Sequence, residues 1–395
     1  MNYLRMLGMT ALLSASSTVF AASTGSPFYG DAPDAHHPWC VHDWNRPQPP
    51  HVDPLPYDAA KAKPPADAVV LFDGTEAALA NWEADKPGNE PTKWIVKDGI
   101  LQCVPKSGYV RTKSKFADCQ LHVEWSAPTP PQGESQGRGN SGIFLEGIVE
   151  CQVLDNFDNP TYADGFACAV YGVCPPLANA LRAPVEWNAI DITFRRPIYE
   201  GDKLVHPGFV TVYCNGILVQ DKTQLEGPTG HMARSHAGPF PETGPLKLQD
   251  HGNPVRFRNI WYTKLPARSE ADDAGILAPL SEEATAAKRK EIAAMVRDSA
   301  AKMPEGSLEQ TLRLAESLVY EKTDATYATV EKRAADFAAE VKALPADKLN
   351  GKKDEIKRLY NAFRYLAKFK IIDAKDPALV ELHAIAKEHG LDNKH

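Results

Sequence analysis

No stretch of this chain is long and apolar enough to cross a bilayer. The mostly apolar run Met6 to Phe20 is interrupted by Ser and Gly and falls short of the roughly 20 residues that a spanning helix needs. Positive charge is not in surplus either. The 44 Lys and Arg stand against 51 Asp and Glu, a net charge of −7, which argues against a nucleic-acid binder. The apolar fraction of 43% is ordinary and excludes a disordered chain. The seven cysteines (Cys40, Cys103, Cys119, Cys151, Cys168, Cys174 and Cys214) lack any Cys-x-x-Cys spacing, so they read as structural and not as a zinc or thioredoxin-like centre. In an oxidising compartment some could pair. Cys168 and Cys174 are the nearest in sequence, and the odd count leaves at least one thiol free or paired between chains. No lipobox cysteine follows the N-terminal apolar run, which favours a soluble exported protein over a lipoprotein.

What is present begins with an export signal. Arg5 supplies a short basic start, the apolar run follows, and Val19-Phe20-Ala21 fits the small-residue rule of a cleavage site. Residues 1–21 therefore read as a signal peptide, and the protein as periplasmic or secreted. A length of 395 residues implies two or more folded units. Residues 22–66 form a Pro- and His-rich extension without a clear period, including Asp34-Ala35-His36-His37-Pro38-Trp39-Cys40-Val41-His42-Asp43. It is expected to wrap a domain surface and to build no core of its own. Its histidines invite a metal reading, but the adjacent His36 and His37 cannot easily chelate one ion together.

Residues 67–266 read as all-β, and the 32 prolines are concentrated before residue 270, as in a loop-rich fold. Leu121, Val123 and Trp125 alternate with His122 and Glu124. Ile190, Ile192 and Phe194 alternate with Asp191 and Thr193. Val255 and Phe257 alternate with Arg256 and Arg258. Lys97-Asp98-Gly99 separates two short strands, and Asn215-Gly216 joins Val210–Cys214 to Ile217–Gln220 as a type I′ hairpin. Many short strands with close turns predict a sandwich or jelly roll. In Glu150-Cys151-Gln152-Val153 the apolar pair faces one side and Glu150 with Gln152 the other. Following the Gly139-Asn140-Ser141-Gly142 turn, that polar pair could line a cleft. After a linker at 267–280 the pattern becomes helical over 282–303, 307–320, 326–344, 352–370 and 377–389, with Ser307 and Gln310 spaced as a capping box. Residues 281–395 are thus a helical C-terminal domain whose apolar stripes are packing faces. It carries no chemistry of its own and offers a surface for a protein partner or self-association.

The β region resembles the DUF1080 family, also described as 3-keto-disaccharide hydrolase domains. The residues that carry this are Leu71-Phe72-Asp73-Gly74, Trp94 with Asp98-Gly99, Asn140-Ser141-Gly142-Ile143-Phe144, and Glu150-Cys151-Gln152-Val153-Leu154-Asp155. Ala169-Val170-Tyr171-Gly172, Trp187-Asn188, Asn215-Gly216, Leu248-Gln249-Asp250-His251-Gly252 and Val255-Arg256-Phe257-Arg258-Asn259-Ile260 follow in order. His37-Pro38-Trp39, His42-Asp43 and Arg46-Pro47 resemble a segment found ahead of some such domains. The resemblance implies a concanavalin A-like jelly roll with a groove on its concave face, and a carbohydrate substrate oxidised at C3. Glu124, Glu150, Gln152, Asp191 and Arg258 all fall opposite the apolar face of their strands, so they would gather on one surface if those strands are neighbours.

A ketone at C3 acidifies the C2 proton. A base can remove it, the enolate can expel the group at C1, and water can add back, so the net reaction is glycoside hydrolysis. Such a site needs a base, stabilisation of the enolate oxygen and an acid for the leaving oxygen. Glu150 and His251 are the acid–base candidates. Arg138, Arg256 and Arg258 are candidates for the enolate, Asn140, Gln152 and Asn188 for hydroxyls, Tyr171 for substrate binding, and Trp187 or Trp94 for stacking. Each has a structural alternative: Glu150 could pair with Arg258, His251 could sit in a turn, Asn140 could shape a turn, and the tryptophans could be core. No cofactor is certain, although a divalent metal held by His251 and a carboxylate could replace the arginine. Glu124 and Glu150 could alternatively be a conventional glycosidase pair. Outside catalysis, the chain could be a carbohydrate-binding module or a structural envelope protein.

Overall fold

The computed structural model describes residues 28–234 and 240–392, and the signal-peptide reading lies outside them. The alternating segments are strands. In chain order they are β1 (Val69–Phe72), β2 (Trp82–Ala84), β3 (Ile95–Lys97), β4 (Ile100–Gln102), β5 (Val110–Thr112), β6 (Cys119–Ser126), β7 (Ser141–Leu145) and β8 (Val149–Val153). Then come β9 (Asn188–Arg195), β10 (Ile198–Glu200), β11 (Lys203–His206), β12 (Gly208–Cys214), β13 (Ile217–Leu225), β14 (Lys247–Leu248) and β15 (Arg256–Lys264). An eight-stranded sheet runs β13-β12-β9-β6-β15-β4-β3, with β1 also paired to β15. A five-stranded sheet runs β2-β5-β14-β7-β8. Two turns owe their shape to left-handed backbone. Asp98-Gly99 (φ +53° and +76°) and Asn215-Gly216 (φ +50° and +81°) both meet the type I′ requirement, which Gly and Asn tolerate best.

The apolar halves of the strands meet in one core. Leu121, Val123, Trp125, Ile190, Ile192, Phe194 and Phe257 come from the larger sheet, and Ile143, Leu145, Val149, Cys151 and Val153 from the smaller. Burial of each large side chain contributes roughly 1.5–3 kcal/mol. Trp94 belongs to this core, stacked on Phe257. All seven cysteines are free, and the Cys168–Cys174 pairing is not made. The Cys168 thiol instead lies within hydrogen-bonding reach of Cys151 and Cys214.

The C-terminal helices are α1 (Glu282–Ala300), α2 (Leu308–Tyr320), α3 (Asp324–Ala343), α4 (Ala346–Leu349), α5 (Lys353–Lys368) and α6 (Pro377–Glu388). Ser307 caps α2 by accepting from Gln310 N (3.2 Å), but Gln310 Oε1 accepts from Gly306 N (2.8 Å), one residue ahead of the box that its spacing suggests. Among the described residues no helix is long and apolar enough to cross a membrane. The extension does more than lie on a surface. Tyr29 and Cys40 enter the helical core beside Ile292, Val296, Leu318, Tyr320, Phe363 and Leu366. Farther along it crosses the eight-stranded sheet, where Leu55 N donates to Asn215 O (3.1 Å).

Candidate active site

The sequence expectation of a single polar surface is corrected by the topology. Glu150 and Gln152 stand on the outer face of the five-stranded sheet, whereas Glu124, Asp191 and Arg258 stand on the outer face of the eight-stranded sheet, across the core. Alternation sends both sets away from the apolar layer, and so to opposite sides of the sandwich.

On the larger sheet the polar groups satisfy one another. Glu124, fully buried, accepts from Arg258 Nε (2.7 Å), Asn259 Nδ2 (2.8 Å) and Tyr57 OH (2.8 Å). Burial alone would raise its pKa, but hydrogen bonds from His122, Asn259, Arg258 and Tyr57 hold it at about 2. His122 lies between Asp191 (2.7 Å) and Glu124 (3.4 Å), and these two carboxylates overcome burial to push it up to about 9. Arg258 stacks on Trp187 at 4.1 Å, and Arg256 donates to Ser126 Oγ (2.7 Å). Asn188 is buried and accepts from Arg182 N (2.9 Å) and Asn215 Nδ2 (2.8 Å), which fixes a loop against a hairpin. Trp187, Asn188, Arg256 and Arg258 are therefore not beside Glu150, and Glu150 is not the partner of Arg258.

On the smaller sheet Glu150 is different. It is 5% exposed, and among the described residues no donor hydrogen-bonds its carboxyl. Burial alone pushes its pKa up to about 8, so the carboxyl is mostly protonated at neutral pH. Gly142 on the neighbouring strand makes room for it, since a Cβ there would meet Glu150 Oε1 at 2.2 Å. The loop after β8 widens the sheet: Gln152 N donates to Ala169 O (3.0 Å) and Tyr171 N to Glu150 O (3.1 Å). This sets Tyr171 as one wall. On the same edge of β8 Glu150 N donates to Thr229 Oγ1 (2.9 Å), which brings in the segment carrying His231.

Around Glu150 the groups form a chain. Tyr162 OH and Tyr171 OH share a hydrogen bond (2.9 Å), and Tyr171 OH bonds His231 Nδ1 (3.1 Å). His42 stacks on Tyr162 (ring centroids 4.1 Å) and lies 5.3 Å from His231. Burial above all, and then the nearby His251, lower the pKa of His231. Burial raises Tyr171, with the Glu150 charge adding to it. Tyr109, whose ring lies 6.0 Å from Phe144, accepts from Gln249 Nε2 (2.9 Å), which leaves its own proton free to donate. Gln152 Nε2 donates to Gln136 Oε1 (2.9 Å), and Asn140 Nδ2 donates to Gln136 O (2.8 Å), so Asn140 holds the support of Gln152. Arg138 is occupied by Asp155 Oδ1 (3.1 Å) and Phe157 O. His251 is exposed in its turn, close enough to act on His231. The neighbouring Asp250 accepts from the Gly108 and Gly252 amides (both 2.9 Å). Among the described residues no three His, Cys, Asp or Glu side chains converge to hold a metal.

Tyr109, His42 and His231 were missed. Alternation through Tyr109-Val110-Arg111-Thr112 could have found Tyr109. The two histidines sit in segments without a period.

The sandwich with this cleft is a carbohydrate-acting, glycosyl-hydrolase-like domain. Residues 67–263 match the 3-keto-alpha-glucoside-1,2-lyase-like domain, and the chain belongs to that family, the 3-keto-disaccharide hydrolase domains. A candidate glycosyl hydrolase from Parabacteroides distasonis is 41% identical over 56% of this chain and 93% of its own, with a TM-score of 0.49. A second candidate glycosyl hydrolase from the same organism is 19% identical over 54% of this chain and 100% of its own, with a TM-score of 0.38. No curated protein matches the chain.

Proposed function

We propose that the protein is an exported hydrolase of 3-keto-glycosides, its sandwich a concanavalin A-like jelly roll. The observation that carries this is the pair of groups pushed in opposite directions within one cleft. Glu150 is raised to about 8 and His231 is lowered, so near neutrality one is an acid and the other an unprotonated base. With His231 Nδ1–H donating to Tyr171 Oη, its Nε2 is free to take the C2 proton. Tyr109 O–H hydrogen-bonds the developing C3 enolate. As the enolate collapses, the C1–O bond breaks and Glu150 gives its proton to the departing oxygen. The Glu150 carboxylate then takes a proton from water adding at C1, and His231 returns its proton to C2. Atoms balance as keto-glycoside plus water to keto-sugar plus alcohol. Phe144 is suited to the sugar's C–H face, while Gln152, buried and engaged by Gln136, Gly165 O and Val153 N, supports the floor beneath it. The periplasmic or secreted location rests on the signal-like N-terminus.

The test is release of free sugar from a 3-keto-disaccharide by the purified protein. The rate should rise with pH as His231 loses its proton below the ordinary 6.5, and fall through about 8 as Glu150 ionises. Glu150→Gln should lower kcat by about 10²–10⁴-fold and remove the alkaline limb. Saturable sugar binding with no turnover at any pH would make this a binding module and sink the hydrolase reading.

A further inference from the structure

We propose that the C-terminal helices and the extension are a positioning device for this cleft: the helices clamp residues 29–45, and these hold the segment that carries His231. The inference rests on the hydrolase reading for its chemistry, but its contacts stand apart from it.

The first half of the device joins helices to extension. Tyr29 OH donates to Glu316 Oε1 (2.6 Å), and Asn45 Nδ2 donates to the same oxygen (2.6 Å). Arg313 spans both partners, donating to Glu316 Oε2 (2.6 Å) and Asn45 Oδ1 (2.6 Å). Tyr320 OH donates to Asp43, next to His42. Tyr365 OH donates to Gly30 O (2.7 Å). These groups are buried or half-buried, where each bond is costly to leave unmade.

The second half joins extension to cleft. Asp31 N donates to Met232 O (3.0 Å), and Arg234 N donates to Asp31 Oδ2 (2.9 Å). Met232 N donates to His42 Nε2 (3.3 Å). That nitrogen is therefore the acceptor, so the ring proton sits on Nδ1 and points to Asp164 Oδ1 (3.3 Å). His42 is thus held at both nitrogens, by Asp164 at Nδ1 and by Met232, the residue after His231, at Nε2, while its face packs on Tyr162. It is a positioning residue: it sets where His231 meets Tyr171. Contact between the two segments is tight, because a Cβ on Gly30 would lie 2.5 Å from Met232 O.

Two variants of the full chain separate the parts. Gly30→Ala drives a wedge between extension and the His231 segment while leaving every helix and cleft side chain in place. Tyr365→Phe removes one clamp bond and keeps the ring. Hydrogen–deuterium exchange over residues 226–234 should rise at least fivefold in both. The Nδ1–H signature of His42 in ¹⁵N-histidine NMR should become a tautomer mixture. On a 3-keto-glucoside kcat should fall about tenfold, with KM within twofold. Unchanged exchange and tautomer in both variants would overturn the proposal, as would increased exchange with an unaltered kcat. If the wild-type protein turns over no keto-glycoside, the hydrolase reading fails while exchange and tautomer still decide the positioning.

Discussion

Glu150 owes its character to what is missing around it. Burial without a donor leaves desolvation as the sole influence on its carboxyl, and the neighbouring glycine supplies the space. That has a consequence for stability. Below its ordinary 4.5 the group is protonated whether the chain is folded or not. As the pH climbs from 4.5 through about 8, only the unfolded chain ionises, so the folded state loses ground. By pH 7 the loss is on the order of 3 kcal/mol. Glu150→Gln should therefore melt at higher temperature than wild type at pH 7–8 and at nearly the same temperature at pH 4. A gap that is the same at both pH values would show that the carboxyl has found a partner. Alternation alone placed Glu150 and Gln152 away from the core. It could not supply His231 or His42, because a loop histidine leaves no periodic trace and its neighbours are distant in sequence.

Among elements, parity tells which side chains leave the core but not which sheet they leave from. Most of the strands, the two I′ turns and the five longer helices were legible, with most ends displaced by one or two residues, α1 by three and β13 by five. The order of strands was not, since it depends on pairings such as β6 with β15 and β7 with β14 that no local pattern encodes. This is why Arg258 and Glu150, similar on paper, lie on opposite faces. The groups of the network on the larger sheet pair with one another. Glu124→Ala would strand Arg258 and the protonated His122, at a cost of roughly 3–5 kcal/mol, read as a lower urea midpoint. The pH limits of turnover should stay where they are. A displaced alkaline limb in Glu124→Ala would tie the two faces together chemically.

For the whole molecule, the extension contributes to both units. Tyr29 and Cys40 are part of the helical core, while Tyr57 and Ala62 cover the larger sheet, where Ala62 O accepts from Asn259 Nδ2 (2.8 Å) and Trp261 Nε1 (3.2 Å). The two cores should consequently melt as one. Calorimetry is expected to give a single transition whose van't Hoff and calorimetric enthalpies agree, and two resolved peaks would show that the strap does not couple them.

The bond from Tyr365 to Gly30 closes over 335 residues of chain. A ribosome makes the extension long before α5. While those residues are made Gly30 waits without this partner, and contacts of such sequence separation are slow to form. The wall of the cleft that His42 steadies is therefore finished after the sandwich it leans on. A chain that stops short of α5 can own every group that lines the cleft and still lack their final alignment.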